Sequence, residues 1–448
     1  MADSESHDGS QKLPRSVYLV GSLTRFAQGM YQPFTQAYMI DMGASFAELG
    51  AFRAVGNAAP TILQPVWGAK SDQIGRRKPF VAFGTLTGFF TVFLFLFAVT
   101  PVQMIVLFGI QSLLLSIQIP TWLSLIGGLM DESNRGDELG KLGRVTDVVS
   151  LIATLVSGFI AGLPVLVTFL RSLFGGLGEV LLPVVDPSRA EYYLPFYLTA
   201  VIGIAASLLS LKIKERPPDS DKRREFPPLL QIISKPGNFR RLCAVTMFFS
   251  FSMAMAWPYF AVVQRDFLGF SLFEFAIASA IMTSVSAILT LYFGRLSDRV
   301  GRKPLIVFGR GILFVVPLIY ALAPDALWIY IANAIAGVSI ASSFNAITAY
   351  IYDIAPEEER GSYLAVYNTF SGIVFLFGSL IAGLLGDALV PFIGWYLGAI
   401  TMLLVSTALR FVSSFFYALL KEPRDYDSSI WKELNGLIGR RRVSPEDL

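Results

Sequence analysis

Long apolar runs broken at short polar intervals set the pattern of this chain. A helix that crosses a bilayer needs about 20 apolar residues. Twelve such runs, numbered here as spans 1–12, are placed at 16–40, 46–68, 79–99, 102–130, 141–163, 192–212, 241–263, 272–294, 305–323, 326–352, 362–386 and 392–418. The pattern predicts an all-α membrane protein, organised as two six-helix bundles over 16–212 and 241–418. A polar tail (1–15) precedes them, and a charged, proline-rich cytoplasmic linker (213–240) joins them. In the final segment, 419–448, Ile430, Trp431, Leu434, Leu437 and Ile438 share one helical face ahead of Arg440, Arg441 and Arg442. That pattern predicts an amphipathic helix lying on the inner leaflet. The polar start carries no signal-peptide pattern, so span 1 is expected to be retained.

Composition agrees with this reading. Of 448 residues 54% are hydrophobic and only 15% charged, which does not describe a soluble domain. Charge placement sets the topology. With both termini inside, the external loops hold three basic residues, Arg171, Arg189 and Arg265, and Arg25, Arg53, Arg310 and Arg410 lie within spans. The other 29 of the 36 Lys and Arg fall on cytoplasmic segments or at the cytoplasmic ends of spans, as the positive-inside rule requires. A thirteenth span over 163–185 would turn the second half over and place Arg302 and Lys303 outside, so that segment is expected to be an external interfacial helix or hairpin. The net charge of +3 thus follows from topology and signals no nucleic-acid partner. One cysteine, Cys243, excludes an intramolecular disulfide. One histidine, His7, argues against a histidine proton relay or metal site. No nucleophile–base pair, metal cluster or phosphate loop is found, so neither an enzyme nor a cofactor is expected.

The two halves repeat. Gly68-Ala69-Lys70-Ser71-Asp72-Gln73-Ile74-Gly75-Arg76-Arg77-Lys78-Pro79 returns as Gly294-Arg295-Leu296-Ser297-Asp298-Arg299-Val300-Gly301-Arg302-Lys303-Pro304, with Asp72, Gly75 and Arg76 offset by 226 from Asp298, Gly301 and Arg302. Ser45 and Glu48 recur at the same offset as Ser271 and Glu274, and both pairs read as capping boxes opening spans 2 and 8. Pro33 and Pro258 lie within spans 1 and 7, where proline frees a carbonyl and permits a kink.

A glycine-bearing basic turn between membrane helices, present once per half, resembles the signature loop of the major facilitator superfamily of transporters. The resemblance implies that spans 1, 4, 7 and 10 surround a central cavity, with 2, 5, 8 and 11 completing its walls. It also implies cytoplasmic latches: Asp72 accepting from a helix N-terminus, Arg76 meeting Asp131 at the end of span 4, and in the second half Asp298, Arg302 and Asp353. Three departures stand out. Lys70 takes an apolar place in the pattern, span 4 lacks the arginine of many proton-coupled exporters, and the glycine motif of span 5, Gly158 to Pro164, has its proline displaced.

On that architecture the candidate binding residues follow. Arg25, Gln28, Gln32 and Gln36 fall within about 80° of one face of span 1 at 100° per residue. Arg53 and Asn57 share a face of span 2. Gln111 and Gln118 lie on span 4, Trp257 on span 7, and Asn333 and Asn345 on span 10. Glutamines can line a cavity or join helices. Asp147 on span 5 either pairs with Arg25 or Arg144 or serves as a proton site. Arg310 and Arg410 are expected to snorkel to the cytoplasmic face. The leading expectation is a secondary transporter of a small amphipathic, anionic or polar organic solute, coupled to protons, another ion or the solute's own gradient. A proton-coupled multidrug exporter and a non-transporting receptor or lipid-handling protein are the alternatives. Short loops, no glycosylation sequon in the external loops and no targeting peptide favour a prokaryotic inner membrane.

Overall fold

The computed structural model describes residues 13–130, 135–163, 187–215 and 237–423, with Thr168 and Ile232 besides. Among these residues the regular structure is entirely helical. Nine helices among the described residues are long and apolar enough to cross a membrane, and the longest, Arg360–Leu419, is two helices meeting at Gly394, where φ is 81°. Only glycine takes that conformation without strain. Span 1 (Arg15–Tyr31 and Thr35–Asp41) and span 2 (Phe46–Ile74) are helical as well, so the architecture is consistent with twelve crossings. The expected interfacial segment beyond Leu163, most of the linker and the amphipathic tail lie outside the described residues. The chain divides into two compact units, Met1–Arg224 with Phe270–Ile277, and Glu225–Gly269 with Ala278–Leu448.

The helix starts follow from local sequence. Ser45 accepts from the Glu48 N–H at 3.2 Å while Glu48 accepts from the Ser45 N–H at 2.9 Å, closing the expected capping box. Ser271 and Glu274 close the second one at 3.3 and 2.8 Å. Thr100 and Gln103 form a third, opening span 4 (Pro101–Gly127).

Two further caps come from far along the chain. Span 3 opens at Lys78, and its first N–H groups, those of Arg77 and Lys78, donate to the Glu215 carboxylate just past span 6. Span 9 opens at Arg302, where the Arg302 and Lys303 N–H groups donate to Glu422 at 3.2 and 2.9 Å, just past span 12. A carboxylate at a helix N-terminus satisfies free donors and complements the dipole. Burial pushes the Glu422 carboxyl up from its ordinary value, and the two N–H donors oppose that shift.

The broken spans show how freed carbonyls are answered. Pro33 lacks the N–H that would bond the Gly29 carbonyl, and span 1 passes through a 3₁₀ turn at Gln32–Phe34. Thr154 on span 5 donates to that Gly29 carbonyl at 3.0 Å, and Ser157 donates to Met30 at 2.7 Å. The helices meet so closely there that a Cβ on Gly29 would lie 2.5 Å from the Ser150 carbonyl. In the second half span 7 breaks between Asn238–Ala254 and Trp257–Val262, ahead of Pro258. Ser406 on span 12 donates to the Ser252 carbonyl there at 2.6 Å.

Replacing Glu215 or Glu422 by Ala removes the acceptor for two first-turn donors. Each variant is expected to lose about 1–2 kcal/mol, read as a lower melting temperature in detergent, while the Gln variants recover part of the loss.

Candidate functional site

In the first half, polar side chains gather where span 1 breaks. Arg53 on span 2 donates from Nε to Gln36 Oε1 at 2.8 Å, and its Nη2 reaches the same oxygen. Asn57 donates to the Arg53 carbonyl at 2.8 Å, one turn along. Gln111 of span 4, itself 1% exposed, donates to the Tyr31 hydroxyl at 2.6 Å, and Gln32 is within bonding reach of the same hydroxyl. One guanidinium is thus held by a neutral amide, and one tyrosine hydroxyl accepts from another amide.

Several expected residues stand elsewhere. The common face of span 1 does not survive its break: Gln32 and Arg25 are exposed, whereas Gln36, beyond the Pro33 turn, is buried against Arg53. A face computed at 100° per residue holds only for an unbroken helix. Arg25 meets Gln28 at 3.4 Å, and among the described residues neither Arg25 nor Arg144 pairs with Asp147, which is exposed. Gln118 is buried where spans 3 and 4 cross, so close that a Cβ on Gly84 would lie 2.9 Å from its backbone nitrogen. That position serves packing.

The second half has a different character. Trp257 packs edge-on against Phe375 of span 11 at 5.6 Å and lies 6.5 Å from Phe260, which in turn sits 4.6 Å from Tyr320 of span 9. This aromatic chain ends at a polar clamp, where Asn333 and Gln264 donate to the Tyr320 hydroxyl at 2.9 and 3.3 Å. Asn333 therefore joins spans 9 and 10. Asn345, twelve residues or about 18 Å further along span 10, is exposed and borders a cavity of about 200 Å³ with Ser297, Asp298, Arg302 and Ser342.

At that end of span 10 Arg302 pairs with Asp298 at 2.6 Å and Asp353 at 3.3 Å, and it also donates to Ser297 Oγ at 2.8 Å. Gly301, at φ 102°, makes the turn that brings it there, as Gly75 does at φ 69° in the first half. In the first half Arg76 is exposed and forms no ion pair among the described residues. Arg77 sends its guanidinium to the Ser124 carbonyl at 3.2 Å and its N–H to Glu215, so it, not Arg76, stands in the place of Arg302. The repeat slips by one residue after its glycine. Asp131 and the Asp72 side chain lie outside the described residues.

Arg310 and Arg410 depart furthest from expectation, since neither snorkels. Arg410 on span 12 is 1% exposed and donates to the Met253 carbonyl at 3.1 Å and the Leu313 carbonyl at 3.3 Å. Pro317 frees the Leu313 carbonyl, and span 9 breaks there between Arg302–Ile312 and Val315–Leu322. Arg410 thus sits at the C-terminal ends of two helices, where partial negative charge gathers. Its guanidinium also lies 5.7 Å from the Phe260 ring centre.

Membrane helices with ion-paired turns and polar clusters at helix breaks, and no catalytic group assembled among the described residues, fit the class of solute transporters. The sequence matches the Major Facilitator Superfamily over residues 17–378 and 242–443, and the chain belongs to that family. It is 22% identical over 389 residues to an uncharacterised transporter of the same type from Methanocaldococcus jannaschii, covering 85% of this chain and 91% of that one. A tetracycline resistance protein of class H from Pasteurella multocida is 30% identical over 132 residues, 27% of this chain and 33% of that protein. Among solved structures the nucleoside transporter NupG superposes with a TM-score of 0.74 at 12% identity, over 91% of this chain and 99% of that one. That likeness shows the fold alone.

Substituting Arg410 by Met leaves two buried carbonyls short of a donor and is expected to destabilise the protein by about 2 kcal/mol or more. Arg410→Lys, with a single-point cation, recovers only part of this in thermal unfolding. A Met variant as stable as the wild type would show that the carbonyls are answered without it.

Proposed function

We propose that this secondary transporter carries a small amphipathic organic solute with an anionic or polar end, by alternating access, with both termini cytoplasmic in a prokaryotic inner membrane. The observation that carries this reading is the cluster of Arg53, Gln36 and Asn57 in the first half, beside Gln32, Tyr31 and Gln111. Such a donor-rich set favours a polar or negatively charged group. The aromatic chain from Phe375 through Trp257 and Phe260 in the second half suits an apolar body. Arg302 with Asp298 and Asp353 would serve as a latch that stabilises one end state and parts in the other.

A second reading, proton-coupled export, is favoured by Asp147, an exposed carboxylate with no ion pair among the described residues.

A thermal-shift screen of the purified protein and its Arg53→Gln variant, against organic anions, lipophilic cations and sugars, tests the first reading. An anion is expected to raise the melting temperature of the wild type and not of the variant. Equal stabilisation of both by lipophilic cations would displace the anionic reading. For the second reading, Asp147→Asn is expected to abolish pH-gradient-driven accumulation in proteoliposomes while leaving solute exchange intact; unchanged accumulation removes Asp147 from coupling.

A further inference from the structure

We propose that Arg310, together with Tyr367, forms an anion-binding point inside the second half that takes the carboxylate or phosphate of an acidic solute. The inference deepens the anionic-solute reading and rests on it for the identity of the ligand, but its geometry is independent of the Arg53 cluster.

Arg310 lies eight residues beyond Arg302, about 12 Å into the membrane along span 9. Arginine stays protonated there, and a charge at such depth costs several kcal/mol unless it is paired or wet. Its guanidinium does not turn back to the cytoplasm. It lies 4.9 Å from the ring centre of Phe249 on span 7, a residue 1% exposed. Tyr367 of span 11 and Tyr417 of span 12 are close enough to feel its charge.

Among the described residues no acid answers this charge, and neither Arg310 nor Arg410 has an ion pair. The nearest like charge, Arg410, is within electrostatic reach and adds to the imbalance. The two cations differ in one respect. The buried Nε of each lacks a partner, but Arg410 places both Nη groups on carbonyls at two helix ends, whereas Arg310 has no carbonyl partner among the described residues. A buried unpartnered donor on a cation calls for an ion or water.

The surrounding donor set names the chemistry. A guanidinium offers several N–H groups in a plane that matches an oxyanion. The Tyr367 phenol stands close by, in reach of Thr246, while Tyr417 donates to Thr246 Oγ1 at 3.2 Å. The Phe249 ring forms an apolar wall beside the charge, which suits a carboxylate or phosphate carried on an organic body. An inorganic cation or a neutral sugar gains nothing from this set.

The test is a thermal titration of the full chain in nanodiscs of neutral lipid, with benzoate and inorganic phosphate as probes. The wild type and Arg144→Gln, an exposed arginine elsewhere, are expected to rise in melting temperature. Arg310→Gln is expected to lose the response, with about tenfold or weaker apparent affinity, and Arg310→Lys to keep part of it. Should Arg310→Gln fail to fold, Tyr367→Phe, which removes only a hydroxyl, is expected to weaken the response severalfold. An undiminished response in both Arg310→Gln and Tyr367→Phe, or none in the wild type, overturns the proposal. So does stabilisation by phosphatidylglycerol discs that depends on Arg310 while soluble anions have no effect, because the anion is then a lipid headgroup. An Arg310-dependent shift with no transport of organic anions leaves the site standing and removes the anionic-solute reading instead.

Discussion

In lipid, a freed backbone carbonyl or an unanswered charge has no water to turn to. That constraint organises both halves of this protein. Each half contains a broken helix with proline, and each break is held by side chains from a distant helix: Thr154 and Ser157 on the carbonyls ahead of Pro33, Ser406 and Arg410 on those ahead of Pro258. The same rule explains Glu215 and Glu422, which return from the ends of spans 6 and 12 to cap spans 3 and 9. Without these partners the breaks would be defects. With them, they become defined places where polar groups can stand inside a membrane protein.

Function follows from which polar groups stand there. In the first half the break turns Gln36 onto Arg53 and sets Gln32 and Gln111 about Tyr31, a neutral frame around a fixed cation. In the second half the break sets Trp257 into an aromatic chain and admits two arginines to the interior. One of these places both Nη groups on helix-end carbonyls, and the other has no carbonyl partner among the described residues. The two halves therefore repeat in backbone design and diverge in chemistry, as expected of a fold whose scaffold is shared and whose substrate is not.

Much of this was legible along the chain, and the exceptions have physical causes. Capping boxes were readable at Ser45 and Ser271 because their partners lie three residues away. The span pattern and the paired glycine turns were readable because hydropathy and left-handed glycine are local properties. The partner of a freed carbonyl was not, since Arg410 answers Met253 from 157 residues away. Depth alone assigned Arg310 and Arg410 to the membrane surface, but depth says nothing about which way a side chain turns. Gln36 was placed on a face that the Pro33 turn abolishes. The repeat pointed to Arg76 by counting from its glycine, whereas Glu215 sets the register and makes Arg77 the counterpart of Arg302. Asn333 and Gln118 read as cavity amides, and only packing shows that one clamps Tyr320 and the other fills a helix crossing.

We propose that these paired breaks serve movement of an acidic organic solute through the protein. Counterflow in sealed proteoliposomes tests it most directly. Vesicles are loaded with an unlabelled organic anion that stabilises the protein, then diluted into its labelled form without ATP or an ion gradient. The account predicts saturable, transient accumulation of label that empty vesicles do not show. Tight binding of the same anion with no exchange would contradict it and leave a receptor built on a transporter's frame.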